Sequence, residues 1–164
     1  MIELKTPTKN EDIRKLKIGD KVLISGEMYT GRDAVLPRLV RLIKYGYKLP
    51  FSLEGIAFLH TAVSKAGISP TSSNKDEIES SILPLSNAGV KIHIGKGSLS
   101  DNTMKHFEDS VFIITPSVAG LLAKTMVHKE VVAFKEEGIE AIFKLTVENF
   151  PGLVAVTKGE SIFN

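Results

Sequence analysis

The sequence predicts one α/β domain built around a mixed sheet. Short apolar runs of strand length alternate with segments that carry helical periodicity or helix-capping residues. Three of these runs are followed by polar loops that open a helix, as strand-to-helix connections in α/β layer structures do. The 164 residues contain no repeat or linker-like stretch, so we expect a single domain over residues 1–164, with residues 1–12 at its periphery.

Composition narrows the classes of function. The net charge is only +2 and no block of like charge occurs, which argues against binding to nucleic acid. Zero cysteines exclude a disulfide framework, a cysteine nucleophile and an iron–sulfur cluster ligated by this chain alone. The four histidines show no metal-ligand spacing, so we expect no metal site in this chain. No apolar run has the length of a membrane span or the setting of a signal peptide, so we expect a cytoplasmic protein without membrane contacts.

The first strand and the first long helix enclose a dense polar connection. The apolar run Lys21–Glu27 predicts a strand, and "MYTGRDA" follows it. Pro37 fits only in or before a first helical turn, and Gly46 stands where a C-terminal capping glycine belongs. Residues 30–33 are therefore expected at a helix N-terminus. The helical spacing i, i+3, i+4, i+7 is formed by Leu36, Leu39, Val40 and Ile43.

Two further polar loops open helices in the same way. Residues 55–63 predict a strand, and the loop after it offers Ser73 or Asn74 as a helix N-cap, with Glu77 as the capping-box partner of Asn74. Residues 90–100 predict a short strand, a Gly-Lys-Gly turn and the start of a short helix. Polar loops thus precede three predicted helices.

The last third of the chain is predicted to be richer in strands. Residues 110–126 predict a strand, a turn at Pro116 and Ser117, and a helix of small residues. Residues 130–136 and 152–159 predict two more strands. Together with the earlier runs they complete the mixed sheet.

If the three polar loops lie at one end of the sheet, Arg32, Thr71 and Lys96 converge on a small-anion site. Each of these residues also has a structural interpretation. Arg32 can pair with Asp33 or another surface acid, worth about 0–1 kcal/mol, or it can grip a carboxylate beside helix amides. The hydroxyls around Thr71 can cap a helix, and Lys96 can lie solvated in a turn, since its surroundings do not match a phosphate-binding loop.

Five motifs, taken in order, resemble those of one enzyme family. They are "LISGEMYTGRDA", "LPFSLEG", "SPTSS", "IGKGSLS" and "EGIEAIFKLTVENFP", within a similarity that covers residues 13–163. The family is that of class I iron–sulfur fumarate hydratases and L(+)-tartrate dehydratases, and the similarity is to their β subunit or C-terminal domain. The resemblance implies a swivelling β/β/α domain and a [4Fe–4S] cluster held by cysteines of a separate α subunit. It also implies a dicarboxylate site between the two parts.

The same resemblance implies roles for residues in three of these motifs. The threonine of "SPTSS" is the proposed base that removes the carbon-bound proton. The cluster iron acts as a Lewis acid on the leaving hydroxyl. The arginine and lysine side chains hold the substrate carboxylates. The implied site residues are Thr71 and Lys96 as catalytic groups, and Arg32, Lys75, Ser72, Gly31 and Asp33 as substrate-binding groups.

Three positions depart from the family pattern. Leu36 replaces a histidine, Ser69 replaces a glycine, and Lys75 replaces an arginine, keeping the charge but losing the bidentate fork. The resemblance therefore implies a hydro-lyase acting first of all on fumarate or (S)-malate, with L(+)-tartrate or another hydroxy acid as alternatives. An alternative of a different class is a non-catalytic module that binds a carboxylate or a partner protein. In isolation, such a module would form a homo-oligomer.

Overall fold

The structure is a computed structural model that describes residues 1–64, 67–68, 75–115 and 122–163. The strands are β1 Ile2–Thr6, β2 Lys21–Thr30, β3 Ala57–Leu59, β4 Val63–Ser64, β5 Gly67–Ile68, β6 Ile92–Gly95, β7 Val111–Ile114, β8 Met126–Ala133, β9 Ile142–Thr157 and β10 Glu160–Ser161. The helices are α1 Asn10–Arg14, α2 Leu36–Lys44, α3 Lys75–Asn87 and α4 Asp101–Met104. A 3₁₀ helix, Lys135–Glu140, is kinked at Gly138, whose φ of 60° and ψ of −122° are not helical. No helix in this part of the chain is long and apolar enough to cross a membrane.

The main sheet is mixed, as predicted, and five of its strands close into a ring. Strands β2, β3, β6 and β7 are parallel neighbours in that order. Strand β9 runs antiparallel and pairs with both β7 and β2, which closes the ring. Strand β1 pairs with β2 in parallel and β8 pairs with β9 in antiparallel, outside the ring. The α/β class predicted from the alternating pattern is therefore observed.

The two faces of the ring strands bury different cores. Side chains that alternate along the strands form one cluster on the shared inner face, including Ile24, Met28, Leu59, Ile94 and Leu145. The opposite faces pack against helices. Tyr29 and Phe58 belong to the cluster that includes Leu36 and Leu39 of α2, and Phe112 belongs to the cluster that includes Ile82 of α3. The helices therefore cover the outside of the ring.

Helices whose ends are marked by proline, glycine or a capping serine are found where the sequence predicts them. Helix α2 begins at Leu36 with Pro37 in its first turn, and Gly46 follows its end with φ of 73°. Strand β6 and the short helix α4 occupy the predicted stretch, and the Ser100 hydroxyl caps α4 by accepting from the Thr103 N–H at 3.3 Å. Helix α3 is present, but its proposed caps Ser73 and Asn74 lie outside the described residues, as do Pro116 and Ser117 of the predicted turn.

Three strand predictions need correction. The strand predicted over 130–136 ends at Ala133, because Phe134 adopts a left-handed φ of 55° and the chain then enters the 3₁₀ helix. In the stretch 55–63, the main-sheet strand is only Ala57–Leu59, and Gly55 packs directly on the backbone of Thr8. The final strand is far longer than predicted, since β9 begins at Ile142 and continues through Pro151.

Candidate active site

Arg32 and Lys96, two of the predicted cationic residues, follow strands at the same end of the sheet. Strands β2, β3 and β6 are parallel, with Thr30 in register with Leu59, and Leu59 in register with Ile94. The pairing continues past the strands, because the His60 N–H donates to the Ile94 carbonyl at 3.0 Å. Arg32 and Lys96 each follow two residues after this register line, with one strand between them. Two strand spacings of roughly 4.8 Å place the two backbones about 10 Å apart.

Arg32 is held by an acid distant in sequence. Its side chain is 25% exposed, and its Nε–H donates to a carboxylate oxygen of Glu140, whose side chain is 20% exposed. Among the described residues, no hydrogen bond or ion pair uses the two terminal nitrogens of Arg32. The ion-pair interpretation of Arg32 therefore has a real partner, which is Glu140 and not Asp33. Within the described ranges, the outer edge of the guanidinium is therefore available to a ligand.

The loop between β2 and α2 is shaped by close packing. A Cβ on Gly31 would lie 2.9 Å from Val35 Cγ2 and 3.2 Å from Phe58 Cζ, so the loop can rest on the Phe58 ring only with glycine here. The Gly31 N–H donates to the Leu59 carbonyl at 3.1 Å. That amide is therefore committed to extending the sheet. The amides of residues 32–34 make no hydrogen bond to another described backbone group, so they remain open donors near the start of α2.

Lys96 and Asp33 are exposed, and within the described ranges neither forms an ion pair. Lys96 precedes Gly97, whose φ of 82° makes the turn that leads to the capped helix α4. This geometry fits a solvated turn and also leaves the ammonium free to meet an anion. The remaining predicted site residues are not placed. Thr71 and Ser72 lie outside the described residues, and the structure describes Lys75 only as the first residue of α3.

A buried histidine pair lies directly behind this end of the sheet. His60 follows β3 and is 0% exposed, and its ring centroid is 6.0 Å from that of His93 in β6. Burial lowers the pKa of His60 to about 4, and burial together with the neighbouring His60 lowers the pKa of His93. His93 Nε2 shares a hydrogen bond of 2.8 Å with the Ser86 hydroxyl, whereas both ring nitrogens of His60 lack a partner among the described residues.

Sequence reasoning missed Glu140 and the coupling of the two histidines. Glu140 is 108 residues from Arg32, so no local spacing connects them. It does lie in "EGIEAIFKLTVENFP", a motif quoted for the family resemblance. No local spacing connects His60 with His93, because their contact depends on the parallel pairing of β3 with β6. Within the described part of the chain, no group of three or more metal-ligating side chains occurs.

This chain is similar in sequence to several known proteins. The family model described as "Fumarase C-terminus" matches residues 1–164. The "Putative L(+)-tartrate dehydratase subunit beta" of Methanocaldococcus jannaschii is 34% identical, over 93% of this chain and 86% of its own length. The "L(+)-tartrate dehydratase subunit beta" of Escherichia coli K12 is 30% identical, over 92% of this chain and 80% of its own length.

A longer relative matches as well. The "Fumarate hydratase class I, anaerobic" of Escherichia coli K12 is 28% identical over 99% of this chain, but this chain spans only 32% of that protein. The relatives are thus dehydratase subunits and a hydratase, and the two proteins named as β subunits align over most of their length. The expected family resemblance is confirmed. With a family model matched from end to end, this chain belongs to the fumarase C-terminus family.

Proposed function

We propose that this chain is the β subunit of an iron–sulfur hydro-lyase that reversibly removes water from a small 2-hydroxy dicarboxylate. The observation that carries the proposal is the match, over 92–93% of this chain, to proteins named as the β subunit of L(+)-tartrate dehydratase. These names move L(+)-tartrate ahead of fumarate and (S)-malate, the substrates first expected from the sequence. Fumarate hydration stays the second candidate, since the hydratase match covers 99% of the chain.

In this proposal, the described end of the sheet binds the substrate carboxylates. The open edge of the Arg32 guanidinium and the nearby amides of residues 32–34 would receive one carboxylate, with Asp33 and Gly31 shaping the loop. Lys96, about 10 Å away along the sheet end, would receive the second. A dicarboxylate of four carbons is of the right size to lie between two such cations.

The remaining roles are carried by the loop that precedes α3. Thr71 is proposed as the base that removes the carbon-bound proton, with Lys96 lowering the cost of forming its alkoxide. Ser72 and Lys75 are proposed as further substrate contacts. As the carbanion-like state develops, Arg32 and Lys96 would offset the charge that builds on the adjacent carboxylate.

The proposed cofactor belongs to a partner. This chain has no cysteine, so its residues do not fit the ligands of a [4Fe–4S] cluster, and we propose that a separate α subunit holds it. When bound there, the cluster would supply Lewis acidity for the leaving hydroxyl. We also propose that the closed ring with helices outside is the swivelling β/β/α domain that the family resemblance implies.

Anaerobic co-expression with the cognate α subunit tests the function. The complex is assayed for dehydration of L(+)-tartrate and (S)-malate and for hydration of fumarate, beside the isolated chain and an Arg32→Ala complex. We expect turnover of at least one acid by the complex, none by the isolated chain, and a large loss in Arg32→Ala. A stable homo-oligomer that neither recruits an α subunit nor turns over any acid would favour the non-catalytic module.

A further inference from the structure

The 3₁₀ helix Lys135–Glu140 is attached to the candidate site by two arginines. At its first turn, Arg38 of α2 pairs with Glu136 at 2.8 Å and with Glu137 at 3.2 Å. The Arg38 guanidinium also lies 4.1 Å from the centroid of the Phe134 ring. At its last residue, Glu140 accepts from Arg32. The parts of this segment before and after the kink at Gly138 are therefore both held against the stretch that begins with the Arg32 loop.

The backbone fixes Glu140 beside Arg32 independently of that ion pair. Ala141 and Ile142, which follow Glu140 directly, are 0% exposed. The next residue, Phe143, is the register partner of Thr30, which lies two residues before Arg32. Pairing of β2 with β9 thus delivers both side chains to the same place. The pairing of strands in the ring therefore places Glu140 next to Arg32.

The contact occupies one edge of the arginine fork and leaves another open. Glu140 takes the Nε–H, while the terminal nitrogens have no hydrogen-bond partner among the described residues. An arginine presents five N–H donors in a rigid plane, so fixing Nε–H also fixes the directions of the terminal N–H groups. The side chain is thereby ordered before a ligand arrives, which reduces the ordering cost of binding.

Burial separates this pair from the other arginine contacts on the 3₁₀ helix. The side chains of Arg32 and Glu140 are 25% and 20% exposed, whereas those of Arg38 and Glu136 are 39% and 61% exposed. Solvent screening weakens the Arg38–Glu136 pair more strongly. Glu136 is therefore a matched control acid in the same segment, on the other side of the break at Gly138, and Glu137 still holds Arg38 when Glu136 is changed.

We infer that Glu140 is a positioning residue that aims the terminal nitrogens of Arg32 at a substrate carboxylate. This inference rests on the proposed function, because it assigns Glu140 a part in the same site. Glu140 does not touch the substrate. It acts through Arg32, and by holding the Nε edge it restricts the carboxylate to the outer edge of the guanidinium.

Steady-state kinetics of the assembled complex test the inference. Glu140→Ala should raise KM at least tenfold with a smaller change in kcat, because Arg32 must then be ordered at the cost of binding. Glu140→Gln should stay within about threefold of wild type, since its amide oxygen still accepts the Nε–H. Glu136→Gln should match wild type. If Glu140→Ala does not assemble, Glu140→Met replaces it, because methionine keeps most of the side-chain stem. Glu140→Met should then raise KM at least tenfold.

Coupling to Arg32 separates positioning from general structural support. In an Arg32→Ala background, Glu140→Ala should have no further effect on KM, because the group it positions is gone. An equal loss in both backgrounds would overturn the inference. So would unchanged kinetics in Glu140→Ala, or a lower KM, since a lower KM would mean that the Glu140 carboxylate competes with substrate for Arg32.

Equilibrium binding of L(+)-tartrate to the complex distinguishes failure of the inference from failure of the function. If the wild-type complex binds tartrate but turns over no acid, the hydro-lyase proposal fails. In that case, a tenfold weaker Kd in Glu140→Ala, absent in the Arg32→Ala background, would still support positioning. An unchanged Kd in an active enzyme overturns positioning alone. Absence of any dicarboxylate binding overturns both.

Discussion

Acidification should destabilise this chain through the buried pair His60 and His93. His60 lies between the rings of Phe58 and His93, at centroid distances of 5.4 and 6.0 Å, and is fully buried. Burial lowers the pKa of His60 to about 4 and also lowers that of His93. Both imidazoles are therefore neutral in the folded chain at pH 7. Protonation of either ring would place an unsolvated charge beside aromatic carbon.

Proton binding in the two states gives the direction and size of the effect. An unfolded histidine titrates near its ordinary pKa of about 6.5, so below that pH the unfolded chain binds more protons than the folded one. The stability contributed by neutral His60 is complete above that value and is lost as the pH falls towards 4. Between pH 7 and pH 5 the loss from a pKa of about 4 amounts to about 2 kcal/mol. His93 acts in the same direction.

Urea unfolding at pH 7 and pH 5 measures this loss. His60→Leu removes the titrating group with little change in volume and deletes no hydrogen bond made to a described residue. The free energy of unfolding of wild type should fall by about 2 kcal/mol more than that of His60→Leu. His128→Gln, at an exposed histidine on β8, should keep the wild-type dependence. Equal losses in wild type and His60→Leu would refute the reasoning.

Three further predictions concern the loops of the candidate site. Arg32→Lys should lower kcat/KM of the complex by about 30- to 1000-fold, or about 2–4 kcal/mol, because an ammonium cannot replace the fork; near-wild-type kcat/KM would place Arg32 outside the site. Thr71→Val should abolish turnover and leave the unfolding midpoint unchanged, whereas a lowered midpoint with activity falling in step would indicate a capping role. Gly31→Ala should lower the free energy of unfolding by about 1–3 kcal/mol, since the methyl would lie 2.9 Å from Val35 Cγ2. An unchanged urea midpoint would show that the loop can shift at no cost.

Features encoded over a few residues were predictable from the sequence. Helix α2 follows from a helical apolar stripe between Pro37 and Gly46, and each of these signals acts within one or two turns. Strands β6 and β7 were recognised from short apolar runs, because a strand that is buried on both faces has a continuous apolar sequence. The mixed sheet was predicted from the alternation of these strands with helices.

Features that depend on distant pairing were not predictable in this way. The first part of β9, from Ile142 to Phe150, mixes buried, half-buried and exposed side chains without strict alternation. Its sequence therefore lacks a clean alternation. Its place in the sheet is set by pairing with β2 on one edge and, up to Val147, with β8 on the other. The Arg32–Glu140 contact spans 108 residues and exists only because β2 and β9 are neighbours. Local patterns left Arg32 open as half of an ion pair or as a ligand of a carboxylate, and they did not identify Glu140 as its partner.

Under the proposed function, the two cations at the sheet end have different tasks because they are restrained differently. Arg32 is half-buried, packed behind a glycine that rests on Phe58 and held at Nε by Glu140, so its donors point in fixed directions. Lys96 is exposed in a turn and lacks an ion-pair partner in the described ranges. A fixed fork can select the orientation of a carboxylate, whereas a mobile ammonium contributes charge with little directional demand. Lysine should therefore be tolerated poorly at position 32, while arginine at position 96 should be tolerated better.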